Sequence, residues 1–133
     1  MRRWIPVIAI IFLSGCASIR AEQRMSEFDD LTRAYGSAMQ WSEFVAAYSA
    51  MQKTATTPPL DASLYKDIKV TSYEPQRLRA AEDAKAKTIR RTVHIGYVHL
   101  VDMVEHSLTT DEEWVYSDTD ERWYLRSGFP VFK

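Results

Sequence analysis

Trp114–Leu125, WVYSDTDERWYL, is the stretch from which the fold is read. Trp114 and Tyr116 alternate on the way in, and Trp123 and Leu125 alternate on the way out with Tyr124 between them. A period of two marks strands with one buried face. Ser117-Asp118-Thr119-Asp120 joins them, and such short polar side chains hydrogen-bond nearby backbone and so favour a turn. The stretch is therefore an antiparallel hairpin, ended by Gly128 and Pro130. Its first strand begins near His106, with Leu108 on the same face as Trp114 and Tyr116.

The same period runs upstream. Thr88–Val101 is the longest strand expected, with Ile89, Val93, Ile95, Tyr97 and Val101 on one face and His94, Val98 and Leu100 on the other. Gly96 at its centre predicts a bend or bulge. Ile68–Tyr73 alternates and is rich in β-branched residues, and Pro75 places it at an edge, a bulge or a strand end. Leu78–Lys87 reads as a strand end plus turn, with a short helical turn as the alternative.

Before Leu60 the period is near 3.6. Met25, Phe28, Leu31, Tyr35 and Met39 form one helical stripe, with Ser26, Asp29 and Asp30 suited to its first turn. Gly36 predicts a break or bend between Gly36 and Gln40. Trp41, Phe44, Val45, Tyr48 and Met51 form a second, shorter stripe, and Lys53–Pro59, KTATTPP, stops it. Two helices followed by antiparallel strands give an α+β domain, with both helices on one face of a strongly curved antiparallel sheet, a cone or roll.

The chain has 133 residues, which is one core's worth. Met1–Cys16, MRRWIPVIAIIFLSGC, has two arginines, an apolar run from Trp4 to Leu13, then small residues. That is the layout of a secretory signal, and the run is shorter than the roughly 20 residues of a membrane-spanning helix. The expected division is a signal peptide over 1–15, a lipidated tether over 16–24 and a single domain over 25–133. Cleavage before Cys16 removes Arg2 and Arg3, leaving 15 basic against 18 acidic residues. That balance disfavours nucleic acid. Cys16 is the only cysteine, so an intrachain disulfide is excluded.

Leu13-Ser14-Gly15-Cys16 resembles the lipobox of bacterial lipoproteins. The resemblance implies cleavage between Gly15 and Cys16 and diacylglyceryl transfer to the Cys16 thiol. Each buried acyl methylene contributes ~0.8 kcal/mol, so two or three chains hold a domain to a membrane. Ala17 in place of an aspartate implies the outer membrane, facing the periplasm, in an organism that has one, and otherwise the outer face of the cell membrane. An ordinary secretory signal with an incidental cysteine is the alternative.

Residues 25–132 resemble the nuclear-transport-factor-2-like lipoproteins, cones related to the cystatin fold. The matching features are Trp41-x-x-Phe44-x-x-x-Tyr48, Glu113-Trp114, and Arg122-Trp123-Tyr124-Leu125 with Gly128-Phe129-Pro130. The resemblance implies helices against a bent sheet that leaves a conical pocket. Family members include small enzymes, ligand binders and assembly modules, so the fold alone does not name a function.

Candidate chemistry is sparse. His94 and His99 fall on opposite faces of one strand, and no metal or cofactor motif is present. His94 remains as a pocket residue. Asp111-Glu112-Glu113 reads as a solvated strand end, since adjacent strand residues point to opposite faces. Arg90-Arg91 and Arg77-x-Arg79 read as exposed charges. Enzymes on this cone, of the isomerase or dehydratase type, seat a base and a donor in the pocket; Tyr35 or Tyr48 with Asp102 is the only pair to consider, and the sequence does not join them. Trp41, Tyr48, Tyr73, Tyr97 and Trp114 are core aromatics or the lining of a pocket or partner patch. The expected function is a non-enzymatic accessory or binding module, recognising a partner protein or a small apolar ligand. The alternative is a small pocket enzyme, which requires a buried acid or histidine hydrogen-bonded inside the pocket.

Overall fold

The structure, a computed structural model, describes residues 15–53, 57–76 and 86–133. Residues 1–14, which carry most of the expected signal, lie outside the described residues, as do Arg77, Arg79 and residues 78–85. Four strands, β1 (Ile68–Pro75), β2 (Thr88–His99), β3 (Glu105–Ser117) and β4 (Arg122–Leu125), form one antiparallel sheet in chain order. The sheet is strongly curved, a half-barrel, with helices on its concave side. The α+β arrangement is the one expected.

Inward positions follow the period of two. Ile89, Val93, Ile95 and Tyr97 of β2 lie against Trp114, Thr110, Leu108 and His106 of β3. Trp123 and Leu125 extend this face into β4, and Trp114, Trp123 and Leu125 are almost completely buried. The bend or bulge expected at Gly96 falls on the neighbouring strand instead, and β2 itself runs unbroken through it. Opposite it the β1 register shifts between Val70 and Ser72, and a Cβ on Gly96 would stand 2.6 Å from Ser72 Oγ. Glycine is required because the bulged strand crosses so close.

The helices depart from expectation in three ways. First, α1 (Gly15–Gln40) is one continuous helix of 26 residues. Residues 16–24, expected as a tether, form its first turns, and Ser26 lies inside the helix instead of capping it. Ala21 is buried, so the apolar stripe reads 21, 25, 28, 32, 35, 39, with Thr32 satisfying its hydroxyl on Phe28 O at 2.9 Å. Second, Gly36 does not break the helix. It admits the ring of Tyr73, whose Cε1 would lie 3.0 Å from a Cβ there. Third, α2 (Phe44–Tyr48) is only five residues long. It is preceded by Ser42, whose φ of 60° makes the sharp corner after α1.

Among the described residues no helix is long and apolar enough to cross a membrane. The outer face of the sheet carries a polar ladder: Arg90 and Arg126 each reach Glu113 at 2.6 Å, and Thr92 reaches Asp111 at 2.7 Å. Solvent on that face and the helices on the other explain the alternation along β2 and β3.

Candidate functional site

The acidic run of β3 splits as alternation requires. Asp111 and Glu113 point outward, and Glu112 points inward, where it is 2% exposed. The expectation of a solvated strand end is corrected for this residue, and the physical reason is its cross-strand partner. Arg91 lies directly opposite on β2, and its Nε donates to Glu112 Oε2 at 2.7 Å. Trp114 Nε1 donates to the same oxygen at 2.9 Å, and the Tyr73 hydroxyl donates to Oε1. Arg91 also reaches the Tyr73 oxygen at 3.0 Å and lies over the Trp114 ring. Arg91 is thereby corrected from an exposed charge to an inward one, with its side chain 10% exposed.

These groups set one another's proton affinities. Burial pushes the Tyr73 hydroxyl far up, and the Glu112 charge adds to this. Tyr35 is raised likewise, by burial first and by Glu112 second. Burial alone would lower Arg91, but the charge of Glu112, with Tyr73, more than offsets it and leaves the guanidinium raised. Arg91 is thus held as a guanidinium, and Tyr35 and Tyr73 as neutral phenols. The Tyr35 ring stands edge-on to Trp114 and Tyr73, and its buried hydroxyl has no hydrogen-bond partner among the described residues.

A second feature is apolar and open. A groove of about 530 Å³ lies between the end of α1 and the edge strand β1, lined by Trp41, Ser42, Val70, Thr71 and Leu100 among others. Trp41 is 75% exposed. Ser42 Oγ accepts from Val70 N at 2.8 Å, so this corner caps part of the free edge. Leu100 leads from the groove into the β2–β3 turn, where Val101, Met103 and Val104 are also exposed. Asp102 spends its carboxylate on Val104 N in that turn, whereas Tyr35 is in the core and Tyr48 donates to Pro58 O.

The six expected pocket residues do not share one site. Tyr73 and Trp114 join the buried cluster, and Trp41 lines the groove. Tyr97 is buried at the far end of β2, stacked on His106 and donating to Lys133 O. His94 is on the outer face beside Thr109 and Gln76, opposite in orientation to His99. Tyr48 is half-buried against Phe129. Sequence reasoning missed Glu112, Arg91 and Tyr35 as one cluster. The signal that could have found it is the pair of charges at inward positions of two neighbouring strands.

Among the described residues no group of three or more His, Cys, Asp or Glu is placed to hold a metal ion. Cys16 is exposed at the start of α1. Comparison of the chain with protein-family models, curated proteins and solved structures finds no match.

Proposed function

We propose that the chain is a lipid-anchored protein of a bacterial cell envelope, a non-enzymatic binding module attached through Cys16 and akin to the cone-shaped nuclear-transport-factor-2-like lipoproteins. In this reading residues 1–15 are a signal peptide, and the domain works outside the cytoplasm, on the periplasmic side of an outer membrane where one exists. The observation that carries the binding role is the cluster of exposed large apolar side chains at one end: Trp41, Leu100, Val101, Met103 and Val104. An apolar patch of this kind, uncovered in water, marks an interaction surface. A 26-residue helix is about 39 Å long, which sets this end, beside the last turn of α1, well away from Cys16 in its first turn. A patch held so far from the anchor is suited to a protein partner standing off the membrane.

The groove beside Trp41 supports a second reading, a small apolar ligand, because it is concave and of ligand size. The enzyme alternative draws on Glu112 and Tyr73, a buried acid hydrogen-bonded to a polar partner. Against it, Tyr73, Arg91 and Trp114 already take three of the roughly four acceptor sites of the Glu112 carboxylate.

Two measurements test the proposal. With its own leader, the full chain incorporates labelled fatty acid, and Cys16→Ser abolishes both labelling and processing; labelling that persists in the mutant overturns the anchor. A photo-crosslinking side chain at Val101 gives a discrete protein adduct in the producing cell, and one at Thr92 on the outer face does not. Equal adducts from both positions, or none from Val101, overturn the binding surface.

A further inference from the structure

The first turns of α1, the hairpin turn after β3 and the Tyr116 ring enclose a cleft of about 500 Å³. Its walls carry both signs of charge: Arg20 and Arg24 from the helix, Glu27 one turn further on, and Asp118 and Glu121 from the turn. Asp118 is already neutralised by Lys87, whose Nζ lies 2.8 Å from Oδ2. Among the described residues, Arg20, Arg24, Glu27 and Glu121 belong to no ion pair. Arg24 is held in place from two sides. Its carbonyl accepts from Trp123 Nε1 at 2.8 Å, and its guanidinium lies over the Tyr116 ring, 5.6 Å from the centroid. Yet its buried Nε has no hydrogen-bond partner among the described residues. A guanidinium that is fixed in place and unsatisfied by the described residues favours an acceptor brought by a ligand.

We propose that this cleft binds a zwitterion carrying a phosphate and a primary ammonium, the chemistry of a phosphoethanolamine group. The phosphate accepts from Arg24 and Arg20, which lie one turn apart on the same helix face. The ammonium faces Glu27 and Glu121. Glu27 accepts from Gln23 Nε2 at 3.3 Å but keeps its charge unpaired. A simple anion would meet two carboxylates outside any ion pair, and a simple cation two such arginines; a ligand with both charges matches the balance. The inference rests on the anchored reading for its source. Arg20 is four residues from Cys16, about 6 Å along the helix, which sets the cleft at the depth of lipid headgroups.

The test uses the full chain in detergent micelles and reads the Arg24 Nε–H resonance in a 15N spectrum. Glycerophosphoethanolamine is expected to shift it saturably, with glycerol 3-phosphate and ethanolamine each binding at least about tenfold more weakly, the worth of one charge-assisted contact. Arg20→Gln and Glu121→Gln, both exposed, should each weaken the zwitterion by a similar factor with the fold unchanged. No shift at millimolar probe, or equal binding of glycerol 3-phosphate, overturns the proposal. Chain in bilayer discs separates the sources. If a lipid headgroup is the ligand, discs of phosphatidylethanolamine already show the shifted resonance and discs of phosphatidylglycerol do not; if a free compound is, the soluble probe shifts it in both. Cys16→Ser chain in micelles should bind the soluble probe as well as the parent does, so loss of the anchor and loss of the site give different results.

Discussion

Gly36 and Tyr73 meet where α1 crosses β1, and a Cβ on Gly36 would lie 3.0 and 3.2 Å from two carbons of the Tyr73 ring. The ring cannot swing aside freely, because its hydroxyl is bound at once to Glu112 and Arg91. The helix therefore carries a glycine about one turn before its C-terminal end, where alanine would favour the helix by about 1 kcal/mol, in order to sit close to the sheet.

Gly36→Ala sets these two effects against each other. The expected outcome is a net loss of stability of about 1 kcal/mol or more, because displacing Tyr73 also strains its bonds to a buried carboxylate. In a Tyr73→Leu background the obstruction is gone, and the same substitution should become neutral or stabilising. Urea denaturation of the four proteins checks it. A Gly36→Ala chain more stable than its parent would show that the close approach is not a constraint.

The same position shows where sequence reading stops. A period of two in β2, β3 and β4, and the turn at Ser117–Asp120, come from short-range chemistry, and the sheet was legible from them. The length of α1 was not, because a glycine in a helix reads as a break unless the partner that needs the space is known. Glu112 was misjudged for a related reason: a buried charge is expensive in isolation, and only the cross-strand position of Arg91 offsets the cost. The inward face itself followed from alternation, but the identity of the residue opposite depends on register. Of the expected pocket residues, Trp41 alone ends on an open apolar surface, since exposure of an aromatic is decided by what the fold leaves uncovered.

The Arg91–Glu112 pair makes a stability prediction with a definite asymmetry. Arg91→Met leaves Glu112 with a buried, uncompensated charge and should cost about 3–5 kcal/mol. Glu112→Gln added to it removes that charge while its amide oxygen accepts from Trp114 and its NH2 can donate to the Tyr73 hydroxyl oxygen, and should recover a substantial part of the loss. Denaturation midpoints of parent, single and double variants measure the coupling. A double variant no more stable than Arg91→Met would mean that the guanidinium acts by packing on Trp114 instead of by pairing.

Alkaline pH offers a separate probe of the same interior. Tyr35 and Tyr73 both have hydroxyls raised well above the ordinary phenol value, chiefly by burial and then by the Glu112 charge. The folded state therefore keeps protons that the unfolded chain releases above about pH 10. Stability from these two groups is complete below that pH and declines as pH rises beyond it, by about 1.4 kcal/mol per pH unit for each tyrosine. The expected result is a loss of about 2 kcal/mol from this pair between pH 10 and 11, with the slope approaching about 2.7 kcal/mol per unit only above pH 11. Tyr35→Phe should halve that contribution. At pH 7 the same substitution should leave stability unchanged or raise it by about 1 kcal/mol, because the hydroxyl it removes is buried without a partner among the described residues. Tyr73→Phe should halve the alkaline slope too, but at pH 7 it should destabilise, since it strips Glu112 of a donor. Thermal unfolding at pH 7, 10 and 11 for the three chains distinguishes the two tyrosines. A Tyr35→Phe chain clearly less stable than the parent at pH 7 would show that its hydroxyl is engaged in the interior after all.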